Sequence, residues 1–260
     1  MFISTISESK SSTFKQCRLK FRYKYNDRIP EQDNNNTDAL HFGSYIHKIL
    51  EEGVKATTMD ELLKIAEEEK SNYSFAKSYE PKIEKCLKNF LRFNPSLYET
   101  VATELVYEVD LDKERGIKQN GIIDRIVKGK DGGYLIIDYK TSKREKTKFD
   151  LYQDNQLKGY CNAVHRLYGV PIDKIVVAHY YPLTNNLVAL SYTPQQIAMY
   201  VKSIIDEVWK IRKLKKDEMF PCKNEFCNWC AYKSLCPEFN DPNVIEKKLQ
   251  QIKEEKKANN

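Results

Sequence analysis

Two strand-like segments, GIIDRIV and LIIDYK, constrain this chain more than any other feature, because each carries an aspartate inside an apolar run. Strand side chains alternate, so Asp138 and Lys140 of the second segment point to the same side. The intervening GKDGG is a hairpin turn signal. A three-residue loop centred on Asp131 sets Asp124 opposite Asp138, with Cβ atoms about 4.5–5.5 Å apart. A two-residue loop would instead shift the pairing by one residue.

Two facing carboxylates on an apolar sheet repel each other, and they are tolerated best when a cation lies between them or when one carries a proton. Oxygen ligands at this spacing suit Mg²⁺ or Mn²⁺. Lys140, one step along the same face, can stabilise developing negative charge or orient a water molecule. A strand-end salt bridge between Asp138 and Lys140 is the simpler alternative. The mirrored position of Asp124 favours a site for divalent metal.

The composition places this site in a folded domain. The chain has 260 residues, 41% hydrophobic and 12% aromatic, which is enough for one sizeable packed domain. Its net charge of +6 permits contact with polyanions without requiring it. No segment approaches the ~18 apolar residues of a membrane span, and MFISTISESK lacks the order of a secretory signal. We therefore expect a protein of a cytosol-like, reducing compartment, without a membrane partner.

The order of the periodic segments predicts a mixed α/β (α+β) core with helices on its faces. A charged helix or tail follows at 241–260, and we expect a mobile polar loop at 31–38. Asn94-Pro95 is predicted to end the fourth helix. The helices are predicted at 7–25 with Ser7 or Ser9 as cap, about 40–53, 58–71, 78–93, 151–169 and 194–214, and the strands at 98–111, 117–129, 133–140, 174–183 and 186–192.

Two helical motifs add chemistry that is weak when each is taken alone. His47 lies in HFGSYIHKILEE, one turn after Gly43, whose missing side chain leaves room for a close approach. A helical histidine is more often a packed or surface residue than a ligand. Gln156 and Tyr160 in QLKGY share one helix face and could position a water molecule or a phosphate.

Together, GSYIHKILE, GIIDRIV, IIDYKTSK and QLKGY resemble the RecB-type branch of the PD-(D/E)xK nuclease superfamily. The matching motifs span residues 47–160. The resemblance implies a restriction-endonuclease-like fold around a central mixed sheet. It also implies roles for individual residues: His47, Asp124 and Asp138 as metal ligands with the Tyr139 carbonyl as a fourth, and Asp124, Asp138, Lys140, Gln156 and Tyr160 as the catalytic set. Glu104 is an outside candidate for an extra ligand, and we expect it to be a strand-surface residue.

Three cysteines at the C-terminal end form the pattern Cys227-x2-Cys230-x5-Cys236. In a reducing compartment, clustered cysteines more often hold metal than form disulfides. Four thiolates complete either a zinc site or an iron–sulfur cluster. Cys222 is near in sequence and Cys17 is far upstream, and the residues alone favour Cys222 and zinc.

The resemblance points to a different fourth ligand. In RecB-like nucleases of the AddB and CRISPR adaptation types, a cysteine in an early helix joins a C-terminal C-x2-C-x5-C to bind a 4Fe–4S cluster, and FKQCRLKF with CNWCAYKSLC matches this arrangement. The resemblance implies Cys17, Cys227, Cys230 and Cys236 as ligands, with zinc as the alternative. Segments 1–30 and 217–240 would then clasp a single nuclease domain over 1–240. Cys86 and Cys161 are expected to be core thiols.

Basic runs interleaved with aromatic residues indicate nucleic-acid contact, because cations pair with phosphates and aromatic rings stack on unpaired bases. The runs are RLKFRYKY, TSKREKTK and WKIRKLKK, and the proposed contacts are Arg18, Arg22, Lys143 and Arg144.

Together with these runs, the resemblance implies a metal-dependent exonuclease that acts on single-stranded DNA or DNA ends by two-metal hydrolysis. It implies a role in DNA processing, recombination or repair, alongside a helicase or another DNA-processing protein. The expected setting is the cytoplasm of a prokaryotic or phage-infected cell, with association to the nucleoid. The alternatives are a non-hydrolytic DNA- or partner-binding subunit, a CRISPR adaptation nuclease that trims ends, and a zinc-stabilised structural protein.

Overall fold

The computed structural model describes residues 3–32, 38–93 and 99–258. These residues form two compact units, one from 1–35 with 206–260 and the other from 36–205. A single nuclease domain over 1–240 stays a prediction. The predicted loop at 31–38 lies mostly outside the described residues, and so does the predicted helix end at Asn94-Pro95.

The larger unit contains a mixed five-stranded sheet, which confirms the predicted fold class. Neighbouring strands follow the order β2-β3-β4-β5-β6. All pairs are antiparallel except β4 with β5, which are parallel. The strands are β1 (Thr5–Ile6) in the smaller unit, and β2 (Glu99–Asp112), β3 (Ile117–Lys128), β4 (Tyr134–Tyr139), β5 (Ile175–Tyr181) and β6 (Asn186–Ser191) in the larger one.

The helices follow the predicted order, except that two of the predicted helices are each divided into two shorter ones. Among the described ranges, no helix is long and apolar enough to cross a membrane. Since the unit boundary follows Ile205, one long helix, α8, belongs to both units. The helices are α1 (Glu8–Gln16), α2 (Arg18–Phe21), α3 (Asp38–Glu52), α4 (Met59–Glu69), α5 (Glu80–Phe93), α6 (Lys148–Gln153), α7 (Asn155–Tyr168), α8 (Pro194–Lys213) and α9 (Pro242–Ala258).

The prediction of one continuous helix over 7–25 was wrong. Ser7 caps α1 as predicted, since its side chain accepts a hydrogen bond from the backbone N–H of Lys10. The chain then becomes extended at Cys17, whose Sγ accepts a 3.4 Å hydrogen bond from Lys20 N and so caps a new helix, α2. A π-helical turn follows at Arg22–Asn26. The first N–H groups of a helix have no partner within the helix, and the thiol accepts a hydrogen bond from one of them, as a capping side chain does.

The predicted helix over 151–169 is also two helices. The first starts early, at Lys148, because Thr147 caps it with a hydrogen bond from Asp150 N. Asp154 then interrupts the helix and caps α7, where its Oδ1 accepts from Gln156 N at 2.9 Å. This helix ends at Gly169 as predicted, in a left-handed conformation that glycine adopts without steric cost.

Alternate residues of β4 pack into two different apolar layers. Ile136 is buried with residues of α7, including Val164. Ile137 is buried with residues of α3 and α5, including Ile46 and Phe90. The larger unit therefore has helices on both faces of its sheet.

The hairpin between β3 and β4 has the predicted register. Gly129 N donates to Gly133 O at 2.8 Å and closes a three-residue loop centred on Asp131. The strands then pair Ile126 with Ile136, and the same register continued toward the strand ends sets Asp124 opposite Asp138.

Candidate active site

A cleft of about 550 Å³ in the larger unit is lined by polar side chains from α3, β2 and the end of β4. His47 and Glu104 line it, together with Lys140 and Thr141. Gly43 of α3 also lies here, and a Cβ at this position would be 3.1 Å from Thr141 Oγ1. The space that Gly43 leaves is therefore used by the segment after β4, so the glycine permits the helix and this segment to approach closely.

Three side chains bring one donor atom each within 4.8 Å of one another: His47, Glu104 and Asp124. His47 Nδ1 lies 3.4 Å from Asp124 Oδ2. Two carboxylates and an imidazole form a donor set that fits a small divalent cation such as Mn²⁺. The predicted side-chain ligands were His47, Asp124 and Asp138, whereas the group in the structure contains Glu104 and not Asp138.

Glu104 was expected at the strand surface, with a role as an extra ligand as the outside alternative, and the structure places it beside His47 and Asp124. Its side chain is half-buried, and its pKa is raised by burial and by Asp124. Its backbone has a φ of +44°, in the left-handed region that non-glycine residues rarely adopt. Such strain clusters at functional sites. Strand alternation could not reveal the position of this side chain, because alternation assumes extended backbone and the φ of Glu104 is positive.

Asp124 is a buried carboxylate, with 8% of the residue exposed. Burial and then Asp138 raise its pKa to about 7. A hydrogen bond of 2.7 Å from Tyr139 N to Asp124 Oδ2 acts to lower this pKa. Burial and repulsion from Asp138 therefore favour a proton or a cation at Asp124, as expected for two facing carboxylates.

Asp138 turns toward Lys140, whose Nζ lies 2.6 Å from Asp138 Oδ2. Burial would lower the pKa of Lys140, but the attraction of Asp138 and Asp124 more than offsets it and the pKa is raised. Lys140 Nζ also donates to Gln156 Oε1 at 3.4 Å, and Gln156 Nε2 donates to the Tyr160 hydroxyl at 2.8 Å. The structure thus brings the predicted lysine and the predicted helical motif together.

His47 is held toward its neutral form. Burial lowers the pKa of its imidazole, while Asp138 and Glu104 act to raise it. The backbone of Tyr139 also acts to raise the pKa of the imidazole, which is consistent with the predicted carbonyl ligand lying near the ring. Neutral imidazole is the form that binds metal.

One residue of the site, His179, was missed by the sequence analysis. It is fully buried on β5, directly beside Asp138 in the parallel register. Its Nε2 lies 3.5 Å from Asp138 Oδ2 and 3.8 Å from Asp154 Oδ2. Burial lowers the pKa of this imidazole. The available signal was the single polar residue inside the apolar run KIVVAHYYPL, which the sequence analysis treated only as a strand.

The predicted DNA contacts differ in their availability. Lys143 and Arg144 are exposed in the loop after Lys140. In the smaller unit Arg18 is exposed, whereas Arg22 is half-buried and its Nε lies 2.8 Å from an oxygen of Asp27. Arg22 is therefore already paired within the protein.

The four predicted cluster ligands line one cleft of the smaller unit, together with Cys222: they are Cys17, Cys227, Cys230 and Cys236. Within the part of the chain that the structure describes, no three cysteine sulfurs lie within 4.8 Å of one another. Sulfurs on one tetrahedral zinc ion would be about 3.8 Å apart, so their present positions do not form a zinc site. Cys86 and Cys161 are fully buried, as predicted, and burial raises the pKa of each thiol to about 12.

The terminal segments pack together around this cleft. Leu19 and Tyr23 share an apolar cluster with Tyr232 and Leu235. Tyr23 donates to the Leu235 carbonyl at 3.2 Å, and Tyr232 donates to the Ile29 carbonyl at 2.9 Å. Apolar packing and hydrogen bonds therefore join the two segments that the predicted clasp would link.

Comparison with known proteins places this geometry in a family. The chain is 28% identical over 184 residues to an ATP-dependent helicase/deoxyribonuclease subunit of Streptococcus agalactiae serotype Ia, and 24% identical over 182 residues to the corresponding subunit of Streptococcus uberis. Each match covers 62% of this chain but only 16% of the relative. A crystal structure of a proposed exonuclease from Eubacterium rectale shares the fold, with a TM-score of 0.57 and 16% identity over 88% of each chain. The family model of the PD-(D/E)XK nuclease superfamily matches residues 5–237, and the chain belongs to this superfamily.

Proposed function

We propose that this chain is a metal-dependent deoxyribonuclease, and that it acts as an exonuclease on single-stranded DNA or DNA ends. The observation that carries the proposal is the meeting of His47, Glu104 and Asp124 beside the ion pair of Asp138 with Lys140. Membership of a nuclease superfamily supports phosphodiester hydrolysis. The deoxyribonuclease named among the relatives supports DNA as the substrate.

The donor set at the cleft would hold Mg²⁺ or Mn²⁺. His47, Glu104 and Asp124 would bind the ion, and Asp138 with the Tyr139 carbonyl would complete a two-metal site. When bound, the cations supply positive charge beside the scissile phosphate and favour ionisation of the attacking water. Burial keeps His47 neutral, and an ion would remove the cost of leaving Asp124 charged inside the protein.

Lys140 would stabilise the negative charge that develops on the phosphate. Its raised pKa keeps the ammonium charged, and Asp138 fixes its position at 2.6 Å. Gln156 holds the same Nζ from the helix side and is itself held by Tyr160. A donor fixed in advance costs no reorganisation during the reaction.

The cysteines of the smaller unit would hold a 4Fe–4S cluster. Cys17, Cys227, Cys230 and Cys236 share one cleft, and a cluster separates its thiolates further than a single ion does because four irons lie between them. Linking Cys17 to Cys227 would close a very long loop of the unfolded chain. We therefore assign the cluster a structural role, with zinc as the alternative.

The names of the relatives support a proposal for the partner and the setting. They are named as helicase/deoxyribonuclease subunits, and this chain corresponds to a small part of their length. We propose a helicase or another DNA-processing protein as partner, in the cytoplasm and near the nucleoid, in recombination or repair.

The test is a nuclease assay on end-labelled single-stranded and duplex DNA, in linear and circular form, with Mg²⁺ or Mn²⁺. We expect nucleotide release from linear single strands, and loss of this activity in Lys140→Ala and Asp138→Asn. Lys118→Ala is the matched control, since Lys118 is a lysine on β3 that pairs with Glu108 at 2.7 Å. Retardation of DNA without cleavage under either metal would instead identify a non-hydrolytic subunit.

A further inference from the structure

A set of exposed cations and aromatic rings lies on the segment that leaves the proposed active site. Thr141 and Ser142 line the cleft beside Lys140, and the chain then continues directly into this segment. The set, here called the strand platform, consists of Lys143, Arg144, Lys148, Phe149 and Tyr152. Phe149 is 70% exposed and Tyr152 is 49% exposed.

Helix α6 turns both rings outward. Phe149 and Tyr152 are three residues apart and therefore lie on the same side of the helix. Leu151 is fully buried and fixes the inner side. The side chain of Tyr152 contacts that of Gln196, which holds this ring in place. The orientation of α6 therefore keeps the rings of Phe149 and Tyr152 exposed.

Short contacts fix the platform relative to the catalytic residues. Lys146 N donates to the Tyr181 hydroxyl at 2.8 Å, and Lys146 Nζ lies 2.6 Å from Asp154 Oδ2. Asp154 Oδ2 is 3.8 Å from His179 Nε2, which is 3.5 Å from Asp138 Oδ2. The segment that carries the platform therefore lies next to the proposed site.

The platform is positively charged because residues 143–152 carry four cations and only two acids. The two acids are held by neutral groups: Asp150 accepts hydrogen bonds from Thr147 in the helix cap, and Glu145 contacts the side chain of Asn186. Over the described residues, none of Lys143, Arg144 and Lys148 forms an ion pair within 4.0 Å. Three cations thus flank two rings on one short segment.

We infer that the strand platform binds an unpaired DNA strand, with its rings stacked on bases and its cations paired with phosphates. A duplex hides the faces of its bases within its own stack, so only an unpaired strand can use the rings. The platform would therefore select single-stranded over duplex DNA. This inference rests on the proposed function, because the bound strand is the one that the nuclease would cut.

The test measures binding separately from cleavage, in the Lys140→Ala background. The probes are a fluorescent oligodeoxynucleotide of mixed sequence and the duplex of the same sequence. We expect Phe149→Ala to weaken single-strand binding roughly five- to a hundredfold and duplex binding less than about twofold. Tyr152→Ala should act in the same direction. Phe149→Trp should keep single-strand binding, whereas Phe149→Leu should lose it, since leucine is apolar but cannot stack.

Met199→Ala is the matched control, since Met199 is an apolar residue of α8 that is 72% exposed. Unchanged single-strand binding in Phe149→Ala, or an equal loss on both probes, would overturn the inference. So would a change of oligomeric state at constant DNA affinity, which would make the platform a protein interface. Cleavage is measured separately, with Lys140 intact. A protein that binds single strands through Phe149 but cuts no DNA with Lys140 intact would refute the proposed function alone. Cleavage of single strands that is unchanged by Phe149→Ala with Lys140 intact would refute the platform alone.

Discussion

The backbone N–H of Tyr139 donates a 2.7 Å hydrogen bond to Oδ2 of Asp124, which joins the end of β4 to a carboxylate of β3. The same oxygen lies 3.4 Å from Nδ1 of His47 on α3. A strand backbone and a helix side chain therefore meet at one buried acid. Because Asp124 has both contacts, its protonation and its ligands affect stability and metal binding together.

The first prediction concerns pH and metal-free stability. The pKa of Asp124 is raised from 3.8 to about 7, so the folded protein holds this proton more tightly than the unfolded chain. The stabilisation is complete below the unfolded value and is lost as pH rises through about 7. We expect metal-free protein to lose on the order of 2 kcal/mol between about pH 5 and about pH 8 from this group, measured by urea unfolding.

Asp124→Asn is the variant that tests this assignment. It cannot ionise, so its stability should fall less over the same pH range. In the wild type, Mn²⁺ should restore stability at high pH, where no proton competes with the ion. Parallel stability curves for the two proteins would contradict a raised pKa at Asp124.

The second prediction separates the two properties of Glu104, its carboxylate and its strained backbone. Glu104→Gln and Glu104→Gly both remove a charged ligand, so each should weaken Mn²⁺ binding by about tenfold or more, measured by calorimetry. Only glycine also relieves the positive φ, so metal-free Glu104→Gly should be more stable than Glu104→Gln by about 0.5–1 kcal/mol. Glu108→Gln, an exposed change on the same strand, should leave Mn²⁺ binding unchanged. Normal Mn²⁺ affinity in Glu104→Gln would remove Glu104 from the ligand set.

The two aspartates could be placed from sequence because a local signal fixed them. The glycine-rich turn centred on Asp131 determines the hairpin register, and the register determines that Asp124 faces Asp138. His179 could not be placed in the same way. It reaches Asp138 through a parallel pairing of strands that are separated in the chain by α6 and α7, and no local pattern specifies that pairing.

The two helix breaks show a second limit of local patterns. Cys17 and Asp154 both lie within helical periodicity, and either could be an interior helix residue. Each instead caps the next helix, Cys17 through its sulfur and Asp154 through its carboxylate. Whether such a side chain caps or continues a helix depends on where the following segment must pack, which is a property of the whole fold.

The third prediction is that His179 positions Asp138. A buried imidazole whose Nε2 lies 3.5 Å from Asp138 Oδ2 can steady this carboxylate by turning an N–H group toward it. His179→Phe should lower kcat by about 10- to 100-fold with little change in KM for DNA, and should reduce the rise in Tm on adding Mn²⁺. His179→Gln keeps an N–H near the same place and should retain most of both. If both variants lower stability alike while kcat and the Mn²⁺ response stay normal, the role of His179 is only packing.

The fourth prediction concerns the fourth thiolate of the cysteine cleft, which Cys17 and Cys222 could each supply. Cys17 caps α2 with its sulfur and packs against the apolar cluster of the terminal segments, whereas Cys222 is exposed. We expect Cys17→Ser to lower iron and acid-labile sulfide from about four of each per chain to a small fraction, and to lower Tm. Cys222→Ser is the matched control and should leave both unchanged. Iron loss in the Cys222 variant alone would reassign the ligand, and zinc without sulfide in the wild type would replace the cluster by a single metal ion.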